Sequence, residues 1–264
     1  MARLMIKSND NLKIKEYIKL VSKKAYREQK GKFALEGVRI ISDALSSGVY
    51  FDLLLLTKKC FFKIKNTPYD ITKLCNYELI SDKLAKSMSH VDSPQGAFGI
   101  ASKIFSTKIS KMNNFKYILA LHDVQDPGNV GTLIRTADAF GFDAVVVSGG
   151  CDIYNPKVVR STMGSLFRIS IIECLDFESF LKDINIKTYA AVVDRKANSI
   201  DKIKFDGGML IIGNEANGLP KKIYDICDEK ITINMFGKTE SLNAAIAGGI
   251  CMYEMRQSME RNLY

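Results

Sequence analysis

Tyr117-Ile-Leu-Ala-Leu-His-Asp-Val-Gln-Asp-Pro-Gly-Asn-Val-Gly-Thr-Leu-Ile-Arg-Thr-Ala-Asp-Ala-Phe-Gly-Phe-Asp-Ala-Val-Val-Val-Ser148 holds one full repeat of the pattern that decides the fold. Tyr117–Leu121 is an apolar run of strand length, and Asp126 to Gly131 is a turn rich in residues that break regular structure. Val130, Leu133, Ile134, Ala137 and Phe140 then recur at helical spacing, and Gly141 is a natural helix stop. Ala144–Val147 is the next strand and ends in Ser148-Gly149-Gly150. Downstream the alternation continues. Helices are expected over 156–166 and 176–184, with strands at Ile169–Glu173, Tyr189–Val193, Met209–Ile212 and Ile231–Ile233. A last helix is expected from Ser241, as its N-cap, to about Arg256. Strands separated by helix-length segments call for an α/β fold, a parallel sheet with right-handed crossovers. In such sheets ligands bind beyond the carboxyl ends of the strands.

Upstream the chain changes character. Its 264 residues fit two modest domains, expected as 1–104 and 116–264 with a linker at 105–115 rich in lysine, serine and asparagine. Apolar residues make up 47% and charged residues 25%, which excludes pervasive disorder and a disulfide-stapled miniature scaffold. The net charge of +9 is unevenly placed: residues 1–115 carry 21 Lys+Arg against 10 Asp+Glu, and residues 116–264 carry 17 against 19. Of the 18 glycines, 13 fall in the second stretch. The first stretch reads as a small α/β unit. It has a helix over 11–30, a short strand at Phe33, a helix over Val38–Leu45, a continuous apolar run at Phe51–Thr57 expected as a buried parallel strand, a helix over 78–90 and a strand at Gly96–Ala101. The excess of +11 in this stretch favours phosphate contact over a merely solvated face. The six cysteines lie at least 15 residues apart and only two histidines are present, so no zinc motif exists and no metal site is expected. No apolar run approaches a membrane span, and the first ten residues hold no secretion-signal core, so a cytoplasmic protein with reduced thiols and no membrane partner is expected.

Absences narrow the chemistry. No two glycines are separated by a single residue, so G-x-G-x-x-G cannot occur, and neither the P-loop motif nor G-x-S-x-G is present. Three polar glycine-bearing loops remain, each after a strand. In the first, Asn129 can cap the helix or brace a neighbouring loop, and Arg135 places a cation farther along. In the second, Gly213-Asn-Glu215-Ala-Asn-Gly218 sets a carboxylate between glycines that allow close backbone approach. The third is Ile233-Asn-Met235-Phe-Gly-Lys-Thr-Glu-Ser241-Leu-Asn243. Each alone reads as simple turn and cap chemistry.

Together and in this order they resemble the three motifs of SpoU/TrmH-type RNA ribose 2′-O-methyltransferases, of the SPOUT superfamily. The matching residues are Asn129-x-Gly131 with Arg135, Gly213-x-Glu215-x-x-Gly218, and Ser241-Leu242-Asn243 with Glu254 beyond. Lys157 to Arg168 is similar to the family's stretch between the first two motifs. Phe33-Ala-Leu-Glu-Gly-Val-Arg39 and Gln95-Gly96 are similar to the substrate-binding domain often fused to this catalytic domain. The family's usual Pro after the isoleucine and Val-Ser-Val after the asparagine are here Asn234 and Ala244-Ala245-Ile246.

The resemblance implies S-adenosylmethionine held in a C-terminal trefoil knot, around Gly213, Ile233, Met235 and Leu242. It also implies a homodimer built through the knot region, and RNA as substrate, with rRNA favoured over tRNA by the fused domain. Arg135, Asn129, Glu215, Ser241 and Asn243 are the implied catalytic group. For Arg135 two roles stay open: a base assisted by substrate phosphate, or a fixed cation that holds that phosphate and stabilises developing alkoxide. Lys23, Arg27, Lys32, Arg39 and Arg160 are the candidate RNA contacts. The rival reading is a non-catalytic RNA-binding factor for ribosome assembly on the same scaffold.

Overall fold

In the computed structural model, which describes residues 5–91, 93–104, 112 and 114–261, the chain divides into two units: Met1–Phe105 with Asp152–Phe167, and Ser106–Cys151 with Arg168–Tyr264. The first unit is built on a four-stranded sheet, β1 (Lys32–Glu36), β2 (Phe51–Thr57), β3 (Tyr77–Ile80) and β4 (Ala97–Ser102), in the order β1-β4-β2-β3. Phe51–Thr57 has one parallel neighbour, β3, and one antiparallel neighbour, β4. An apolar run reports burial on both faces and leaves strand direction open. The expected helix over 78–90 starts late, because Tyr77–Ile80 pairs with β2 and Ser81 then caps the helix Asp82–Met88 by accepting from Leu84 N at 3.2 Å.

The helix expected over 11–30 is two: α1 (Leu12–Ser22) and α2 (Lys24–Lys30), broken where Lys23 takes an extended conformation. The break lets Arg27 fold back on the end of α1. Its Nη1 donates to Leu20 O at 2.7 Å and Val21 O at 3.1 Å, satisfying carbonyls that the helix end leaves without partners. Its Nε donates to Asp152 Oδ2 at 2.7 Å, and the residue is only 3% exposed. Asp152–Phe167, which follows from the second domain's strand pattern, belongs by packing to the first unit. Phe33 lies 5.0 Å from the Tyr154 ring and 6.3 Å from the Phe167 ring, and Val158 and Val159 are buried. Within it the expected helix over 156–166 stops at Ser161, since Met163 and Gly164 both take positive φ and break the hydrogen-bond ladder. The remaining helices of this unit are α3 (Val38–Ser46), α4 (Lys58–Ile64), α5 (Asp82–Met88) and, in this inserted stretch, α7 (Pro156–Ser161).

The second unit carries seven strands: β5 (Tyr117–His122), β6 (Ala144–Ser148), β7 (Ser170–Glu173), β8 (Thr188–Ala191), β9 (Asn198–Ser199), β10 (Gly208–Ile212) and β11 (Glu229–Thr232). Their order is β7-β6-β5-β10-β8-β11-β9 and every pairing is parallel, as the alternation requires. The edge strand β9 has two residues, too few to leave a periodic signal. From β5 the chain winds outward through β6 and β7, then crosses to the other side and returns to lay β10 against β5. The winding reverses between these two strands, and their carboxyl ends define a switch point where a crevice is expected. Helices α6 (Pro127–Ala139), α8 (Phe177–Asp183), α9 (Lys221–Ile226) and α10 (Ala244–Arg261) complete the unit. α10 packs on α6 and β10. The contact is close because Gly248 has no side chain: a Cβ there would lie 2.3 Å from Leu133 Cδ2. Of the expected linker, residues 105–111 and 113 lie outside the described residues, and Met112 is buried in the core of the second unit.

Candidate active site

The first loop leaves the carboxyl end of β5 and enters α6. Asp126, ahead of Pro127, caps that helix by accepting from Asn129 N at 2.9 Å. The cap role open to Asn129 is therefore taken, and its side chain braces two other loops. Asn129 Nδ2 donates to Glu215 Oε1 at 3.0 Å, and its Oδ1 accepts from Asn243 Nδ2 at 2.9 Å. One side chain thus ties the ends of β5 and β10 to the entrance of α10.

Glu215 closes the link from the other side. Its Oε2 accepts from Gln125 N at 3.0 Å and its Oε1 from Asp126 N at 3.0 Å. Burial would raise its carboxyl, but the Gln125 amide, the Asn129 side chain and the Asp126 amide outweigh it, and the pKa falls below the ordinary 4.5. Beside it, Asn214 Nδ2 donates to Asp123 O at 3.0 Å, and Asn214 Oδ1 accepts from Ala216 N and Asn217 N, both at 3.0 Å. Asn214 and Gly218 exchange backbone hydrogen bonds at 3.1 and 2.9 Å. The turn folds so tightly that a Cβ on Gly213 would lie 2.6 Å from Gly218 C and 2.8 Å from Leu219 N. Glycine at 213 is a steric requirement.

In the third loop Asn243, not Ser241, caps the last helix: its Oδ1 accepts from Ala245 N at 2.9 Å and Ile246 N at 3.3 Å, and α10 begins at Ala244. Ser241 is exposed and accepts through its carbonyl from Thr239 Oγ1 at 3.3 Å. Asn234 Nδ2 donates to Ser199 Oγ at 2.8 Å and tethers the loop to β9, and Ser199 in turn bonds Asp201.

Beyond the carboxyl ends of β8, β10 and β11 the second and third loops line a cleft of about 750 Å³. Gly213, Glu215, Ile233, Met235, Ser241 and Leu242 line it, so the four expected cofactor contacts converge on one space. Asp194 and Glu240 line it as well, and no lysine, arginine or histidine does among the described residues. A lining of backbone groups, apolar side chains and carboxylates without a cation fits a cationic sulfonium cofactor that carries an adenosine. Cys251 lies at the cleft's floor, where burial pushes its thiol up to about 12 and keeps it protonated.

The chain matches the SpoU rRNA Methylase family over residues 116–253, more than half its length. The chain belongs to this family. Residues 11–99 match the MRM3-like substrate binding domain. The chain is 30% identical, over 95% of its own length and 98% of the relative's, to the 23S rRNA (guanosine(2553)-2'-O)-methyltransferase RlmP of Bacillus subtilis (strain 168). Among solved structures, the AdoMet-bound rRNA methyltransferase from Sinorhizobium meliloti aligns with a TM-score of 0.82 at 27% identity, covering 96% of this chain and 97% of that one. The SpoU methyltransferase AviRb from Streptomyces viridochromogenes, at 24% identity, shares the fold with a TM-score of 0.82 over 95% of this chain and 98% of its own.

Not every expected residue joins the site. Arg135 is exposed on α6, outside the Asn129–Glu215–Asn243 network, and no described residue pairs with its guanidinium. Among the expected RNA contacts, Lys23 and Arg39 are exposed and Arg160 is half-buried. Arg27 departs from the expectation: held by Asp152 and two carbonyls and almost fully buried, it is turned inward and not presented to a phosphate. Lys32 is also committed, 3.4 Å from Asp52 and 3.6 Å from Glu16; burial alone would lower its pKa, but those carboxylates raise it. Asp123, Gln125, Asp126 and Asn214 join the network beside the motif residues. The Asp126-Pro127 pair is a helix-start signal that identifies the cap; the other three contribute through long-range contacts that no local pattern encodes.

Proposed function

We propose that this chain transfers a methyl group from S-adenosylmethionine to a ribose 2′-hydroxyl of RNA, with ribosomal RNA the substrate. The observation that carries the reading is the cleft beyond the carboxyl ends of β8, β10 and β11, lined by no cation among the described residues, whose second and third loops the hydrogen-bonded triad of Asn129, Glu215 and Asn243 locks to the first. When bound, the cofactor supplies an electrophilic methyl on a sulfonium whose leaving group departs neutral, so no metal is required. The chain's part is to position the acceptor and manage its proton. Asn129, Glu215 and Asn243 hold the loops, and Gly213, Ile233, Met235 and Leu242 shape the adenosine pocket. Ser241 orients the third loop, and Arg135 supplies a fixed positive charge to a substrate phosphate and to the developing alkoxide.

The family likeness supports two further assignments. The segment between β11 and α10 passes through the chain as a trefoil knot, in keeping with α10's return from the outer part of the sheet to the central β10 and to α6. A homodimer forms through α10, whose Ile246, Ile250 and Tyr253 are exposed at helical spacing with Ile246 at 56%. The basic unit over 1–104, through Lys23 and Arg39, grips the RNA together with Arg160 of the inserted stretch, and the protein works in the cytoplasm. Ribose-methylation mapping of total RNA from cells with and without the gene tests the assignment. Loss of a single 2′-O-methyl mark in rRNA is expected; an unchanged methylation map refutes it, and a lost tRNA mark moves the substrate to tRNA.

A further inference from the structure

α4 and the turn after it read Lys58-Lys-Cys-Phe-Phe-Lys-Ile-Lys-Asn-Thr-Pro-Tyr69, four lysines without a carboxylate. Cys60 and Ile64 are buried, which leaves Lys58, Lys59, Phe62, Lys63 and Lys65 at the surface. None of these four ammonium groups has an ion-pair partner among the described residues. Phe62 is 70% exposed, and its ring has an aromatic neighbour. It meets Phe61 edge-on with centroids 5.4 Å apart, and Phe61 stacks on Tyr77 of β3 at 5.4 Å and 30°. Lys65 Nζ lies 5.3 Å from the Phe61 centroid. A preordered ring ladder ends in an open aromatic face ringed by uncompensated positive charge.

We propose that this face is a stacking platform for an unpaired segment of the RNA substrate, with a base on Phe62 and flanking phosphates on the α4 lysines. The proposal rests on the reading of the chain as an RNA enzyme and adds a contact that none of the motif residues supplies. Sequence-independent binding of single strands needs these two ingredients together, an aromatic face for the base and cations spaced along the backbone. A duplex offers no free base face to Phe62. A protein partner would need carboxylates to offset the four lysines, and a membrane would need a broad apolar face, whereas Phe62 alone stands out between charges on this seven-residue helix.

The test uses the full chain and fluorescence anisotropy with a mixed-sequence RNA of about 12 nucleotides, once unpaired and once annealed to its complement. Phe62→Ala is expected to weaken binding of the unpaired strand at least fivefold, about 1 kcal/mol, and of the duplex less than twofold. Phe62→Trp is expected to restore it, and Lys63→Gln to flatten the salt dependence by about 0.7 in log–log slope. S-adenosylmethionine affinity by calorimetry is expected to stay unchanged in all three variants. Equal affinity of Phe62→Ala and wild type for the unpaired strand overturns the platform. So does a shift of oligomeric state in place of RNA affinity, which would make the face a protein contact. If the wild type methylates rRNA while Phe62→Ala does so equally well and binds equally well, the platform alone fails. If the wild type binds no RNA, both the platform and the enzymatic reading fail.

Discussion

Glu215→Gln perturbs the joint between the first two loops while keeping the side chain's size. In the native chain Oε1 accepts from Asp126 N and from Asn129 Nδ2, and Oε2 accepts from Gln125 N, each at 3.0 Å. A glutamine can serve the first pair with its carbonyl oxygen, but its amide nitrogen then confronts Gln125 N, donor against donor. The charge that strengthened all three bonds is also gone. Bonds to a charged acceptor contribute about 1.5–3 kcal/mol when protected from water and markedly less at an exposed site such as this one. The expected loss is about 1–2 kcal/mol, or about 2–8 °C in the melting temperature of a unit of this size. The effect depends on pH with a defined sign. The folded carboxyl sits below its ordinary 4.5, so its contribution is complete above that value and is lost as pH falls through the folded pKa. Calorimetric melting of wild type and variant across this range is the assay. A gap at neutral pH that closes in acid is expected. Equal melting temperatures at neutral pH, or a gap that persists once the carboxyl is protonated, would refute the role assigned to this carboxylate.

Other consequences follow from single contacts. Arg27→Ala removes the Asp152 ion pair and the two bonds that close the end of α1, and is expected to destabilise the first unit by about 3–5 kcal/mol, seen in chemical denaturation; a change in RNA affinity with unaltered stability would restore Arg27 as an RNA contact. Gly213→Ala forces a Cβ against Gly218 and Leu219 and is expected to cost about 1–3 kcal/mol and to weaken S-adenosylmethionine binding in calorimetry; wild-type affinity would show that the turn can open at no cost. Asn234→Ala removes the tether to Ser199 beside two cleft residues and is expected to weaken cofactor binding about threefold to tenfold with little change in melting temperature.

The parallel sheet was legible because its period is local: each strand of the second unit except β9 announces itself as a short apolar run between helix-length segments. The loops were placed by the same local pattern, but that Asn129, at the start of α6, belongs with Gly213, Glu215 and Asn243 was implied only by the resemblance of the three motifs, since each loop alone reads as turn and cap chemistry. What escaped depends on partners far along the chain. Arg27 looks like any surface cation of a basic helix until Asp152, 125 residues later, turns it inward. Asp152–Phe167 continues the second unit's alternation, yet its buried Tyr154, Val158 and Phe167 cover β1 instead. Ser241 and Asn243 are equally good caps by composition. Asn243 takes the role because its amide also reaches Asn129, so one side chain ends the loop and starts the helix. Phe62 carried no periodic signal, being an exposed residue of α4 whose ring contact is with its neighbour Phe61.

The central claim is methyl transfer to a ribose hydroxyl at this cleft. Purified protein incubated with methyl-labelled S-adenosylmethionine and an unmodified rRNA transcript, followed by digestion to nucleosides, tests it most directly. Label in a single 2′-O-methylnucleoside is predicted, abolished by Arg135→Ala although that variant still folds and binds the cofactor. Label on a base, or full transfer by Arg135→Ala, or cofactor binding without any transfer to RNA, would contradict it.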